Sequence, residues 1–288
     1  MNAQNTDARA ALKPEEFTAL AAELGLGRII IRETSDSTNT ELANLAQSGD
    51  AADRSVYFTE FQQHGKGRLG RTWQTPAGSA ITVSVLALPG TSMPTESLSW
   101  YTMLAALAWC KAVREQTGMA ARIKWPNDVL AGDKKICGIL AQLVSTPTGF
   151  GVVVGTGMNV DQDRSEIPVD TATSLKLAHG SSVSRGALLA DYLRAFTALD
   201  HAFREVSGDA AAGLKDFGGK PLSELVSDEL ATLNVDVRVE FPDGNQLEGV
   251  AMTLEADGAL LVRDAQGTTH RVLAGDVHHV RRADGKYA

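Results

Sequence analysis

Two long apolar runs, Lys135–Val144 and Phe150–Met158, are separated only by Ser145-Thr146-Pro147-Thr148-Gly149, and this spacing constrains the fold more than any other feature. A parallel crossover needs a dozen or more residues, so strands joined by so short a turn must be antiparallel neighbours. Further strands are predicted at Arg28–Thr34, Ser55–Phe61, Ala80–Leu88 and Ala121–Trp125, the last ended by Pro126-Asn127. Helices are predicted over Pro14–Leu24, from the cap Asp36-Ser37-Thr38-Asn39 to about Gln47, and over Glu96–Gln116, Leu175–His179 and Arg185–Glu205. Hairpin-linked strands with a few core helices make an α+β chain, not a regular alternation of strand and helix.

Beyond about Leu230 the texture changes. Short runs at Val235–Phe241, Gln246–Leu254, Ala259–Val262 and Thr269–Val272 are separated by turns at Asp243-Gly244, Asp257-Gly258 and Gln266-Gly267. This pattern predicts a barrel of roughly 50 residues as a tail domain. Residues 1–13 read as a frayed end, and His278-His279 as solvent-facing side chains.

The chain has 288 residues, 43% of them hydrophobic, which suffices for a substantial core and excludes general disorder. Its net charge of -8 argues against wrapping nucleic acid or an anionic membrane. Cys110 and Cys137 fall in apolar segments and imply neither a disulfide framework nor a cysteine zinc site. No stretch has the length of a membrane span and the first residues lack a leader pattern, so a cytoplasmic protein of a reducing compartment is expected.

Against that acidic background stands Gln62-Gln63-His64-Gly65-Lys66-Gly67-Arg68-Leu69-Gly70-Arg71-Thr72-Trp73. Interleaved glycines let backbone amides converge, and the cations add charge-assisted hydrogen bonds, so the segment suits a focused anion; an ordinary mobile surface loop remains the alternative. It lacks the ending of a Walker A loop, and no helical run follows its GxGxxG letters. Ser37, Thr38 and Asn39 can cap a helix or present short donors and acceptors to a small polar headgroup. Gln62 can satisfy the strand end or a ligand amide. Trp73 can pack over Arg71 or anchor the next strand.

In Arg122-Ile123-Lys124-Trp125-Pro126-Asn127-Asp128, alternation puts the two cations on one face, where Asp128 can meet them. Asp128 can ligate magnesium or orient a lysine, and Lys135 can bury its stem while its ammonium enters a polar site. An edge network of Lys124, Asp128 and Lys135 would need no ligand at all. The glycines of Gly155-Thr156-Gly157-Met158-Asn159 suggest close backbone approach, and Asn159 can meet phosphate or ribose, or simply end its strand.

Taken together and in this order, Ser37-Thr38-Asn39, the Gln62–Trp73 loop, Lys124-Trp125-Pro126-Asn127-Asp128, Lys135-Ile136-Cys137-Gly138-Ile139-Leu140 and Gly155–Asn159 resemble the biotin protein ligases, specifically the bacterial ligases that act on acetyl-CoA carboxylase. The resemblance runs from about Ile31 to Val280. It implies a central mixed sheet with packed helices, related to class II aminoacyl-tRNA synthetases and lipoate ligases, followed by an SH3-like barrel. The expected division is an N-terminal extension at 1–27, a catalytic domain at 28–230 and the barrel at 231–285.

The implied activity is ATP-dependent formation of biotinyl-5'-adenylate, then transfer of biotin to a lysine of the biotin carboxyl carrier protein. By matching position, Ser37, Thr38 and Gln62 would meet the ureido ring, with Asn39 beside them. Gly65, Lys66, Gly67, Arg68, Arg71 and Trp73 would belong to the loop that closes over biotin and adenylate. Arg68 and Arg71 would engage carboxylate and phosphate, and Lys135 the reacting carboxylate and α-phosphate. Lys124, Asn127 and Asp128 would sit near polyphosphate, Asp128 as the magnesium ligand. Gly138 would leave room for biotin, and Asn159 would face the nucleotide. Two departures stand out: Lys66 replaces an arginine common in relatives, losing bidentate geometry, and Asp170-Thr171-Ala172-Thr173-Ser174 lacks a tryptophan that stacks adenine in some relatives.

Only about 30 residues precede the first expected catalytic strand, too few for the winged helix-turn-helix that some relatives carry, so no specific DNA binding is expected. A homodimer is possible. Two other functions compete: a lipoate-protein ligase, disfavoured by the polar groups at Ser37, Thr38 and Gln62, and an RNA-binding module, disfavoured by the acidic balance and the missing basic-aromatic platform.

Overall fold

The computed structural model describes residues 9–273 and 275–279. Two sheets organise them. The larger contains β1 (Ile29–Ser35), β2 (Val56–Gln62), β3 (Ala80–Ala87), β4 (Ala121–Lys124), β5 (Asp128–Ala131), β6 (Lys134–Thr146) and β7 (Gly149–Asn159), in the spatial order β1-β2-β3-β7-β6-β5-β4. Only β1 and β2 pair in parallel; every other ladder is antiparallel, so the sheet is mixed, as expected.

Helices cover both faces. On one side α2 (Thr38–Ser48) buries Leu42, Ala43 and Ala46 against Ile30, Tyr57, Leu86, Val144 and Val153. On the other, α3 (Tyr101–Thr117) and α5 (Arg185–Glu205), long helices with continuous apolar faces, form the main core with Val56, Phe58, Ile81, Val83 and Val85. All eight residues of β3 are consequently buried. Trp109 stacks on Tyr192 with ring centroids 4.1 Å apart, joining α3 to α5. Three smaller helices complete the body: α1 (Thr18–Leu24), α4 (Leu175–His179) and α6 (Leu222–Glu229). The sequence reading missed α6, β5 and the last C-terminal strand, Asp276–His279.

The C-terminal strands β8 (Asp236–Glu240), β9 (Gln246–Leu254), β10 (Leu260–Arg263), β11 (Thr269–Val272) and β12 (Asp276–His279) form an antiparallel sheet in the order β11-β10-β9-β8-β12. This corrects the expected SH3-like barrel. Strand β12 follows β11 in the chain but pairs with β8 at the opposite edge, and among the described residues no ladder joins β11 to β12. Closure depends on strand tilt and stagger, which local turn signals do not encode. The expected end of the barrel at 285 lies outside the described residues.

The indoles of Trp100 and Trp125 donate to Ala256 O and Gly258 O at 2.8 and 3.1 Å, fixing the β9–β10 turn to the main body. Residues 9–12 are likewise held by hydrogen bonds, against the expectation of a frayed end; residues 1–8 lie outside the described part. Among the described residues no helix is long and apolar enough to cross a membrane.

Candidate active site

A cavity of about 1310 Å³ opens on the larger sheet beside β6 and β7, and the C-terminal sheet and the glycine-cation loop help to line it. That is larger than a typical single-ligand pocket and suits two joined substrates. Ser37, Thr38, Asn39, Gln62, Lys66, Gly67, Arg68, Arg71, Trp73, Lys124, Asn127, Asp128, Lys135, Gly138 and Asn159 all line it. Gly65 does not. It serves packing, since a Cβ there would stand 2.2 Å from Trp73 O, and its own carbonyl accepts from Trp73 N at 2.8 Å.

One end is built on the start of α2. Ser37 occupies the cap position, yet its side chain makes no bond to the helix. Gln62 Oε1 takes that task, accepting from Thr38 N at 2.8 Å and from Thr38 Oγ1 at 3.3 Å. Ser84 Oγ donates to Asn39 Oδ1 at 2.6 Å, and Asn39 Nδ2 donates to Leu140 O at 2.9 Å. Gly155 makes room for this amide: a Cβ would lie 1.9 Å from Asn39 Oδ1. The Asn39 amide is therefore engaged at both ends by the protein, while Ser37, Thr38 and Gln62 are buried polar groups at the cavity wall.

Five residues further back along β6, roughly 16 Å at strand rise, lies the charged end. Lys135 Nζ is 2.6 Å from Asp128 Oδ1 and 5.8 Å from the centre of the Trp73 ring. Asp128 Oδ1 is buried, and the Lys135 ammonium is its partner. The edge network expected of three residues thus has its core in the Asp128–Lys135 pair. Lys124 stands opposite Asp128 in the β4–β5 register, and Arg122 turns away to donate to Glu229 O at 3.0 Å.

Trp73 lies across the neighbouring glycines and not over Arg71. A Cβ on Gly157 would stand 2.4 Å from the indole, and one on Gly138 would meet Lys135 Nζ at 3.0 Å and the indole edge at 3.4 Å. Both glycines thus let Trp73 and Lys135 come down onto the sheet. The indole Nε1 is buried and unpartnered, a donor available to a guest in the cavity.

The glycine-cation loop crosses above this floor. Arg68 donates to Asn127 Oδ1 at 2.9 Å and to Gly275 O at 3.4 Å, while Asn127 Nδ2 donates to Ile139 O at 2.8 Å. Burial pulls the Arg68 pKa down from its usual value, opposed by Asp276 and Asp128. Arg71 pairs with Asp276, and Lys66 Nζ reaches Thr40 Oγ1 at 3.1 Å. The Asn159 amide is committed to the protein, donating to Thr173 O and accepting from Gln162 Nε2, both at 3.0 Å.

Sequence reasoning missed two walls: Arg238, Glu248, Asp276 and His278 from the C-terminal sheet, and Gln162 with Glu166–Val169 from the β7–α4 connection, of which the resemblance had pointed only to the adjoining Asp170–Ser174. The first had no local signal beyond the turn pattern. The second had one, in the polar irregular stretch that starts at Asp161, which was too long for a simple turn.

Comparison with known proteins adds a second line of observation. Residues 31–159 match the model of the biotin/lipoate A/B protein ligase family, and residues 232–280 that of the biotin protein ligase C-terminal domain. The biotin–[acetyl-CoA-carboxylase] ligase of Mycobacterium tuberculosis is 33% identical over 265 residues, covering 91% of this chain and 92% of that one. The bifunctional ligase/repressor BirA of Bacillus subtilis is 27% identical over 264 residues, covering 88% of this chain and 77% of its own. The structure of an Aquifex aeolicus biotin protein ligase in complex with biotin and ATP superposes with a TM-score of 0.72 at 23% identity, over 88% of this chain and 99% of that one, a likeness of fold.

Proposed function

This chain belongs to the biotin protein ligase family, and from that premise we propose that it is a biotin–[acetyl-CoA-carboxylase] ligase: it joins biotin to ATP as biotinyl-5'-adenylate and passes biotin to a lysine of the biotin carboxyl carrier protein. The observation that carries this reading is one continuous cavity with neutral polar groups at one end and Lys135, Asp128 and Arg68 at the other. The ureido ring would rest at Ser37, Thr38 and Gln62, and the valeryl chain would run past Trp73 to Lys135.

In the first step a biotin carboxylate oxygen attacks the α-phosphorus, forming the mixed anhydride and expelling pyrophosphate. Both reactants are anionic, so Lys135 and Arg68 would hold the carboxylate and α-phosphate together against their repulsion. In the second step the neutral amine of the acceptor lysine attacks the acyl carbon, AMP leaves, and the amine loses a proton. Arg68 and Arg71 would keep the loop closed between the steps and exclude water from the anhydride.

Asp128 fits a magnesium ligand by the chemistry of its carboxylate: with Oδ1 paired to Lys135, its other oxygen would serve an ion that takes one or two carboxylates and otherwise phosphate and water. When bound, the ion would offset phosphate charge. We assign catalysis to residues 28–230 and a covering role to the following segment. The test is ATP–pyrophosphate exchange with biotin, with lipoate and with neither acid. Exchange driven by biotin alone is expected; exchange driven by lipoate in its place would overturn the assignment.

A further inference from the structure

Residues 9–12 cross the end of the sheet and are fastened there by a buried ion pair. Arg185 and Glu60, 2.6 Å apart with side chains 1% and 8% exposed, hold the strap between them. Arg185 donates to Ala10 O at 2.7 Å, and Glu60 Oε1 accepts from Leu12 N at 2.7 Å. The strap passes so close to Gly78 that a Cβ there would lie 2.7 Å from Arg9 O.

Beyond these anchors Arg9 grips the β7–α4 connection. Its Nε donates to Asp161 Oδ2 at 3.0 Å and one terminal nitrogen to Asp161 O at 2.7 Å. The two terminal nitrogens reach the two Glu166 oxygens at 3.0 and 2.6 Å, a bidentate fork that lysine could not reproduce. Glu166 in turn accepts from Asp163 N at 2.9 Å, closing the capping box of the short 3-10 turn.

The connection that Arg9 holds is the cavity wall at the Lys135 end. Its far side pairs with the catalytic strand: Lys135 N donates to Thr171 O, and Thr173 N to Lys135 O, both at 2.9 Å. Between these two moorings lie Ile167, Pro168 and Val169, an apolar stretch on the cavity. A flat base attached to a phosphate at Lys135 would find its apolar surface here.

We propose that Arg9 is a positioning residue for the nucleotide: without being part of the cavity lining, it holds the Ile167–Val169 wall where the base of ATP rests, and so sets the affinity for ATP but not for biotin. The proposal rests on the adenylation reading of the cavity. It gives the segment ahead of the first helix a part in substrate binding, transmitted through Glu166.

The experiment compares the parent with Arg9→Ala and Arg9→Lys in the full chain, by ATP–pyrophosphate exchange kinetics and by amide hydrogen exchange without ligands. If the wall in Arg9→Ala is correctly placed a tenth of the time, KM for ATP rises about tenfold, with KM for biotin and kcat within about twofold of the parent. Arg9→Lys recovers part of that loss, and amides of 163–170 exchange faster in Arg9→Ala while those of β7 do not. An unchanged KM for ATP would overturn the proposal, as would parallel losses for both substrates with faster exchange throughout the sheet. A parent inactive with biotin would sink the function assigned above and the nucleotide role together; the hydrogen-exchange comparison would still decide whether Arg9 holds the wall.

Discussion

Lys135 and Asp128 face each other across adjacent strands, Nζ to Oδ1 at 2.6 Å, at the end of the cavity where the nucleotide phosphates are proposed to lie. The carboxylate orients the ammonium through Oδ1, and its other oxygen would serve a metal ion. Asp128→Ala is therefore expected to raise the magnesium concentration for half-maximal pyrophosphate exchange by about tenfold, the scale of one lost ligand contact. An unaltered magnesium titration would leave Asp128 with Lys135 alone.

Arg68 ties the glycine-cation loop to the floor through Asn127 and to the C-terminal sheet through Gly275 O. Arg68→Ala removes both ties, so the loop should open more often over the adenylate. The expected result is an enzyme-bound intermediate that decays about tenfold faster by release or hydrolysis, followed after a single turnover without acceptor. Equal lifetimes in variant and parent would take water exclusion away from this loop.

Much of this was legible in the sequence, and what was not has physical reasons. The β6–β7 hairpin, the buried β3 and the apolar stripe of α5 follow from periodicity and turn length, because each depends on residues near in sequence. Strand β5 was hidden: it is only four residues long and follows directly on Pro126-Asn127, which reads as a break. The C-terminal sheet failed as a barrel because the partner of β12 is β8, a choice made by long-range pairing. In the site, glycines and cations announced the loop, but Arg71 meets Asp276 from 205 residues away and Arg9 meets Glu166 from 157. No local pattern carries such contacts.

Asp200 is a case that only the fold reveals. It lies fully buried on α5, accepting from Tyr101 Oη at 2.6 Å, Arg204 at 2.7 Å and Arg54 at 2.9 Å. Asp200→Ala would leave two guanidinium groups without their shared carboxylate and is expected to cost about 3–5 kcal/mol, measured by urea unfolding. A loss below about 1 kcal/mol would mean that water replaces the carboxylate freely.

Arg9 draws the Glu166 carboxyl down from 4.5 to about 2, assisted by the Asp163 amide. A depressed carboxyl stabilises the fold above its unfolded pKa, and that contribution is lost as pH falls through the folded one. The stability difference between parent and Glu166→Gln should thus be constant from pH 7 to about 5, shrink below 4.5 and vanish near pH 2. Lys176 adds to the same effect from α4. A difference that persists undiminished at the acid end would contradict the pairing.

The central claim is that Lys135 acts where the biotin carboxylate meets the α-phosphate, and single-turnover formation of biotinyl-adenylate measures that step alone. Lys135→Ala, with a melting temperature near that of the parent, is expected to form adenylate about 100- to 1000-fold more slowly, the usual cost of removing one group that stabilises transition-state charge. Formation at the parental rate by the folded variant would contradict the account.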